Sequence, residues 1–270
     1  MAQLQKHPFL CAVALLCLVL LIWSVWGSHA PQTTAYTVRS KTLPRSFDGL
    51  RIVQVSDLHN GQFGKDNARL LRLLENARPD IILLTGDLID SRRTDLAPAI
   101  DFCKAAAALA PTYYAPGNHE SRIPGDYTAL KAALSEVGIV ILENDSCLLT
   151  EGGDSITLTG LTDPDFGIPW PDVQTDTYHI ALSHRPELLE TYARMGFDLV
   201  FTGHAHGGQF RLPWIGGLFA PAQGFFPKYT AGIHTRGSTT MVISRGLGNA
   251  PIIPRFNNRP ELILVTLESI

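Results

Sequence analysis

An α/β fold carried behind a single apolar helix is what this 270-residue chain predicts, and three observations predict it. Residues 9–26 form an 18-residue run without a charge, which as a helix spans about 27 Å, close to the thickness of a bilayer's hydrocarbon core. From Arg51 onward, short apolar runs alternate with helix-periodic stretches. That βαβαβ order needs right-handed crossovers and gives a mainly parallel sheet. The length suits one large domain plus appendages. Glycine (23) and proline (18) are too few for a low-complexity chain and enough for a loop-rich globular one. The net charge of −3 supplies no basic field for a nucleic-acid backbone, so no nucleic-acid partner is expected.

The elements follow in chain order. Residues 1–8 are a short tail carrying Lys6, and residues 9–27 are a transmembrane anchor or a signal sequence. Trp23 and Trp26 sit at the far end of the run, where aromatic rings favour the membrane interface. Ser28, His29 and Ala30 have the small-x-small pattern of a cleavage site, but an apolar run this long favours a retained anchor. Arg39, Lys41 and Arg45 follow the run and outnumber Lys6 before it, which by the positive-inside rule favours a cytoplasmic domain. A signal-like position at the extreme N-terminus favours export. The expectation adopted is a single-pass membrane protein with its domain on the extracytoplasmic side. Residues 28–49, polar and threonine-rich, read as a tether, and residues 50–270 as the domain.

Within the domain, strands are expected at 52–55, 81–84, 112–115 and 139–142, separated by helices at 66–77, 95–109 and 127–137. Later strands fall near 155–160, 178–183, 198–202, 239–244 and 262–267. Four cysteines make no disulfide framework. Cys11 and Cys17 lie in the apolar run, and Cys103 and Cys147 are expected as two buried thiols.

Five of these strands end alike, at Asp57, Asp87, Asn118, His184 and His204. Each apolar run stops at a serine or glycine, and the next side chain can bind a metal. In an open α/β sheet the carboxyl edge of the strands is where ligands collect. His59 follows Asp57 by two residues and His206 follows His204 by two, a spacing that projects both members of a pair to one side in extended chain. Asp57, His59, Asp87, Asn118, His184, His204 and His206 then make seven nitrogen and oxygen donors with no thiolate. That is too many for one tetrahedral zinc and suits two ions of the Mn, Fe, Co or Zn type. Taken singly, each has a plainer reading: Asp87 as a turn or helix cap, Asn118–His119 as a turn, His184 as a buried hydrogen-bonded imidazole. Their joint occurrence at strand ends favours the metal centre.

In this combination, Asp57-x-His59, Gly86-Asp87, Gly117-Asn118-His119-Glu120, His184 and Gly203-His204-Ala205-His206 resemble the calcineurin-like metallophosphoesterases. The stretch from His206 through Gly207-Gly208-Gln209-Phe210-Arg211-Leu212 to Pro213 is similar to their membrane-anchored bacterial phosphodiesterase branch, which is also similar to some UDP-diacylglucosamine hydrolases. The resemblance covers roughly residues 51–270 and implies a four-layer αββα sandwich with a di-metal centre between the sheets. It implies that Asp57, His59 and His206 hold one metal and Asn118, His184 and His204 the other, with Asp87 bridging. It places His119 near the substrate phosphate. Two such cations about 3.5–4 Å apart lower the pKa of a bridging water and neutralise phosphate oxygens, allowing in-line attack by hydroxide. His119 then stabilises the transition-state charge or protonates the leaving oxygen. Glu120 reads equally as a support to the ligands or as a solvated acid.

Function is therefore expected to be phosphoester hydrolysis, by a phosphodiesterase or pyrophosphatase acting on a lipid-linked or envelope phosphate. The alternatives are a phosphomonoesterase or protein phosphatase, and a non-catalytic membrane-bound interaction module. Nine apolar residues crowd residues 210–226, among them Trp214 and Phe219. They read either as a core-covering loop or as an apolar wall for acyl chains or the bilayer. Arg211, Arg245 and Arg255 read as phosphate clamps or as structural ion pairs.

Overall fold

The computed structural model describes residues 8–173, 176–248 and 255–270. The expected short tail, with Lys6, lies outside them apart from Pro8, which begins helix α1 (Pro8–Ser28). Phe9–Ser28 is long and apolar enough to cross a membrane, and 6% of its span is buried against the rest of the protein. It has no apolar stripe to pack on a core; it is apolar all round.

Two six-stranded sheets follow. The first runs in the order β1 (Gln32–Ser40), β16 (Glu261–Ser269), β2 (Arg51–Val55), β3 (Ile81–Thr85), β4 (Thr112–Ala115), β5 (Val140–Ile141). The second runs β14 (Gly232–Arg236), β15 (Thr239–Ile243), β9 (Leu199–Thr202), β8 (Tyr178–Leu182), β7 (Asp154–Gly160), β6 (Asp145–Glu151). Central strands β3, β8 and β9 are buried along their whole length, as parallel strands covered on both faces must be. Between the sheets lies a core to which the first contributes Ile52, Leu83 and Val265, and the second Leu158, Ile180 and Phe201.

Helices cover the outer faces. On the first sheet, α2 (Ala68–Ala77) buries Leu70, Leu74 and Ala77; α3 (Ala97–Ala107) buries Ala99, Phe102, Cys103 and Ala106. After the single turn α4 (Asn118–Ser121), Tyr127, Leu130 and Leu134 of α5 (Pro124–Glu136) join the same layer. These are the i, i+3, i+4 and i+7 positions that form one helical stripe. On the second sheet, α6 (Leu189–Arg194) packs Leu189 and Tyr192 against Val200 and Ile243. The architecture is the four-layer αββα sandwich.

The tether is corrected. Residues 28–49 contain β1, which pairs in parallel with β16 over nine residues, and Val38, Leu43 and Phe47 are buried. Its alternating threonine, tyrosine and valine present one face to the domain and one to water, a pattern whose polar half disguised it. One cysteine also differs from expectation. Cys103 and Cys147 are both thiols, and burial pushes the Cys103 thiol up, but Cys147 on β6 is only half-buried.

Candidate metal centre

The expected donors come from both sheets. Asp57, Asp87 and Asn118 follow β2, β3 and β4 of the first sheet; His184 and His204 follow β8 and β9 of the second. Cross-sheet hydrogen bonds lock these edges together. Gln54 donates across to the Thr202 carbonyl (2.9 Å) as well as to Thr85 Oγ1 in its own sheet (2.8 Å), and the His204 N–H donates across to Asp57 Oδ1 (3.1 Å). His184 Nδ1 lies 2.8 Å from the Thr85 carbonyl, which puts the Nδ1 proton there and turns Nε2 toward Asp87 and Asn118.

The local backbone is unusual. Asp57, His59, Asp87, His204 and His206 all have positive φ, between 45° and 62°. In non-glycine residues this costs on the order of 1 kcal/mol each and persists only where the surroundings enforce it. Here backbone bonds enforce it: Asp57 N–H to Gly86 O, His59 N–H to Asp87 O, Gly203 N–H to His184 O. Glycine is required at two neighbouring places. A Cβ on Gly86 would lie 2.6 Å from the Gly117 backbone, and one on Gly117 would strike the Asp87 carboxylate.

All seven expected donors are buried and brought together. His59 Nε2 and His206 Nε2 stand 3.3 Å apart, and His206 Nε2 is 3.6 Å from Asp57 Oδ1. Asp87 Oδ2 faces His184 Nε2 at 3.2 Å and His59 Nε2 at 3.6 Å, while Asn118 Oδ1 lies 3.1 Å from His184 Nε2. Two groups suited to a cation share the space, Asp57–His59–His206 and Asp87–His184–His204; a third, His59–Asp87–His119, overlaps both.

The charges fit the same reading. Burial pushes His59 down to about 4 and His206 down to about 3, and it lowers His204 as well. These imidazoles are therefore neutral, with lone pairs available to a cation. Burial also opposes charge on His184, but the Asp87 carboxylate beside it prevails and lifts it to about 10. Asp87, which burial alone would raise, is held well below the usual carboxylate range by His184. A cation bound at Asp87 would take over the role of that His184 proton. Buried neutral nitrogens converging on carboxylates suit divalent cations of the harder transition metals.

His119 stands at the edge of this cluster, its ring edge-on to His59 at 4.5 Å between centroids. Its backbone N–H donates to Asp87 Oδ1 (2.8 Å), and its Nδ1 accepts from the Ser91 N–H (3.0 Å). Glu120 is fully buried and accepts from the N–H groups of Asp87, Leu88 and Gly117 at 2.8–2.9 Å. Burial and the nearby Asp87 charge push it up to about 7. It braces the loops that carry Asp87 and Asn118, and the solvated-acid alternative is excluded.

A cavity of about 340 Å³ opens over the cluster, lined by Asp87, Asn118, His119, His204 and His206, with Arg92, Arg122, Phe219 and Pro221 on its walls. Phe219 is thus where an apolar wall was expected, but the other tentative substrate residues are not. Arg211 donates to the Gly207 carbonyl and Thr230, Arg245 is paired with Glu261, and buried Arg255 donates to the Gly248 carbonyl. Trp214 projects wholly into solvent. The cavity's guanidinium groups are instead those of Arg92 and Arg122, each half-exposed and held by Asp90 and Asp165. Sequence reasoning passed over both, and over Asp90, whose Oδ1 is 3.6 Å from His119 Nδ1. Their one signal was position, in the loops directly after Gly86-Asp87 and Gly117-Asn118.

Residues 50–208 match the family model described as calcineurin-like phosphoesterase. An uncharacterized metallophosphoesterase of Bacillus subtilis, YkuE, is 31% identical over 89% of this chain and 87% of its own. The phosphodiesterase YaeI of Escherichia coli is 29% identical over 80% of this chain and 82% of its own. A UDP-2,3-diacylglucosamine pyrophosphatase of Chlamydia trachomatis, LpxG, is 26% identical over 91% and 92%.

Proposed function

From the premise that the chain belongs to the calcineurin-like phosphoesterase family, and is accordingly a phosphoester hydrolase, we propose that it is a membrane-anchored di-metal phosphodiesterase or pyrophosphatase acting on a lipid-linked phosphate. The observation that carries this is the cavity itself, which sets a buried His/Asp cluster at its floor, with two guanidinium groups and the apolar Phe219 and Pro221 on its walls. Asp57, His59 and His206 would hold one cation, Asn118, His184 and His204 the other, and Asp87 both; Mn, Fe, Zn and Co all suit the donors. Bound there, two such cations supply an activated water at neutral pH and neutralise phosphoryl oxygens.

The chain's own residues do the rest. The Ser91 N–H bond to His119 Nδ1 occupies that nitrogen, so Nε2 is the ring atom left to serve a phosphoryl or leaving-group oxygen. Arg92 and Arg122 fit the phosphate or pyrophosphate flank beyond the reacting phosphorus, since guanidinium pairs bidentately with phosphate oxygens. Phe219 fits the first methylenes of an acyl chain, each worth about 0.8 kcal/mol when buried. The diacylglucosamine pyrophosphatase among the relatives and the apolar helix α1 support the lipid-linked substrate and the membrane anchor.

The test is hydrolysis of bis-(p-nitrophenyl) phosphate against the monoester by purified protein loaded with manganese, with metal content measured in parallel. Diester hydrolysis should exceed monoester hydrolysis, and Asp87→Ala should lose both activity and bound metal. Preference for the monoester would overturn the phosphodiesterase reading. An Asp87→Ala protein with two equivalents of metal and normal turnover would overturn the centre.

A further inference from the structure

The segment beyond the metal cluster leaves large apolar side chains in water. It is built as two short hairpins, β10–β11 (Arg211–Leu212 with Gly216–Gly217) and β12–β13 (Phe219–Ala220 with Gly224–Phe225). Trp214 is wholly exposed, Phe225 is 77% and Phe226 71% exposed, and Ile215 is exposed with them. A core-covering loop buries such groups; this one turns them outward. Large aromatic side chains left exposed on two successive structured hairpins mark a contact surface.

What covers that surface follows from where the hairpins spring. The Arg211 N–H donates to the Phe256 carbonyl (3.0 Å), and the Phe210 ring stacks on Phe256 at 5.9 Å. The adjoining Arg255 carbonyl accepts from Ser24 Oγ (2.7 Å) and Ser28 Oγ (3.3 Å), in the last turns of α1. The Arg259 guanidinium sits 5.4 Å over the Trp26 ring and donates to the Ala30 carbonyl. The end of the apolar helix and the root of the hairpins are therefore fastened to one loop. A bilayer that takes α1 must come up to that loop, and aromatic side chains favour its interfacial layer.

We infer that the β10–β13 hairpins are a second membrane contact, inserting Trp214, Phe225 and Phe226 into the interface of the leaflet that α1 enters from the domain side. The inference rests on α1 spanning the membrane. Its consequence is a placement: Phe219 packs edge-on at 5.4 Å to Phe225, its cross-strand partner on the same face of the hairpin, and also lines the cavity, so the ring offered to lipid adjoins the cavity wall. The cavity mouth then opens at headgroup level.

The test uses the full chain in vesicles of phosphatidylethanolamine and phosphatidylglycerol, with and without brominated acyl chains. The emission of wild type minus that of Trp214→Phe isolates Trp214 from the other tryptophans. That difference emission should be blue-shifted, shielded from aqueous iodide, and lose at least about half its intensity to brominated lipid. Phe225→Asp with Phe226→Asp should restore iodide access at an unchanged melting transition. Free quenching by iodide, in protein that withstands a carbonate wash, would overturn the inference while sparing the anchor. Shielding from iodide without bromine quenching would assign the face to another protein surface and overturn it also. Release of the protein by the wash would overturn the anchor reading, and the inference with it.

Discussion

His119 shows how a residue outside the donor set can still govern the chemistry. Its backbone N–H is spent on Asp87 and its Nδ1 on the Ser91 N–H, which leaves Nε2 as its remaining hydrogen-bonding group. His119→Ala should therefore keep its metal, because the ring is not among the proposed donors, yet lose kcat by roughly 10²-fold or more. Metal analysis alongside single-substrate kinetics checks this. Loss of metal together with rate would make His119 a ligand, as the overlapping His59–Asp87–His119 grouping permits. Sequence made His119 visible through Asn118, its neighbour. Arg92 and Arg122 were invisible, since a loop arginine has no periodicity and no partner that spacing can name.

Among the elements, β1 carries the clearest departure from a reading by composition. Its threonines and glutamine look like linker, but alternate side chains face the domain and Val38 enters the core between the sheets. Val38→Asp should cost about 2 kcal/mol or more, because a carboxylate would be forced into an apolar layer without a partner. A urea titration that found it neutral would restore the tether. The strands β2, β3, β8 and β9 were legible for the opposite reason. Buried on both faces, they read as mainly apolar runs, interrupted by Gln54 in β2 and His179 in β8. Edge strands β6 and β14, whose side chains are largely in water, passed unrecognised like β1.

The whole molecule responds to pH through its buried imidazoles. His179 on β8 lies away from the cluster, with Nε2 2.7 Å from Thr159 Oγ1. Burial depresses it to about 4, partly offset by Asp198. An unfolded histidine titrates near 6.5, so between pH 6.5 and 4 the unfolded chain binds the extra proton. Stability from this group is complete above pH 6.5 and is lost as pH falls toward 4, with a slope of up to about 1.4 kcal/mol per unit. In chelator-treated protein, His179→Gln should flatten the acid limb of the urea midpoint by about one proton. An identical slope in variant and wild type would refute the assignment. His59, His204 and His206 contribute with the same sign, so the comparison is a difference of slopes.

By itself the sequence determined the apolar helix, the βαβαβ order and the seven Asp, Asn and His side chains that the fold brings together, because each is written in local pattern: an uncharged run, a period, a polar side chain placed just past a strand. Even the sandwich came only by resemblance, since no spacing within one chain reveals that five strand ends belong to two facing sheets. Tertiary structure decided the rest. It chose Arg92 and Arg122 over Arg211, Arg245 and Arg255 for the cavity, turned residues 32–40 into a strand, and set the hairpins at the foot of α1. Those outcomes depend on which surfaces meet. Arg92 and Arg122 stay half-exposed on the cavity wall beside their carboxylates, whereas Arg211, Arg245 and Arg255 are spent on partners away from it; where the fold carries an arginine is information that its own neighbourhood in the sequence does not hold.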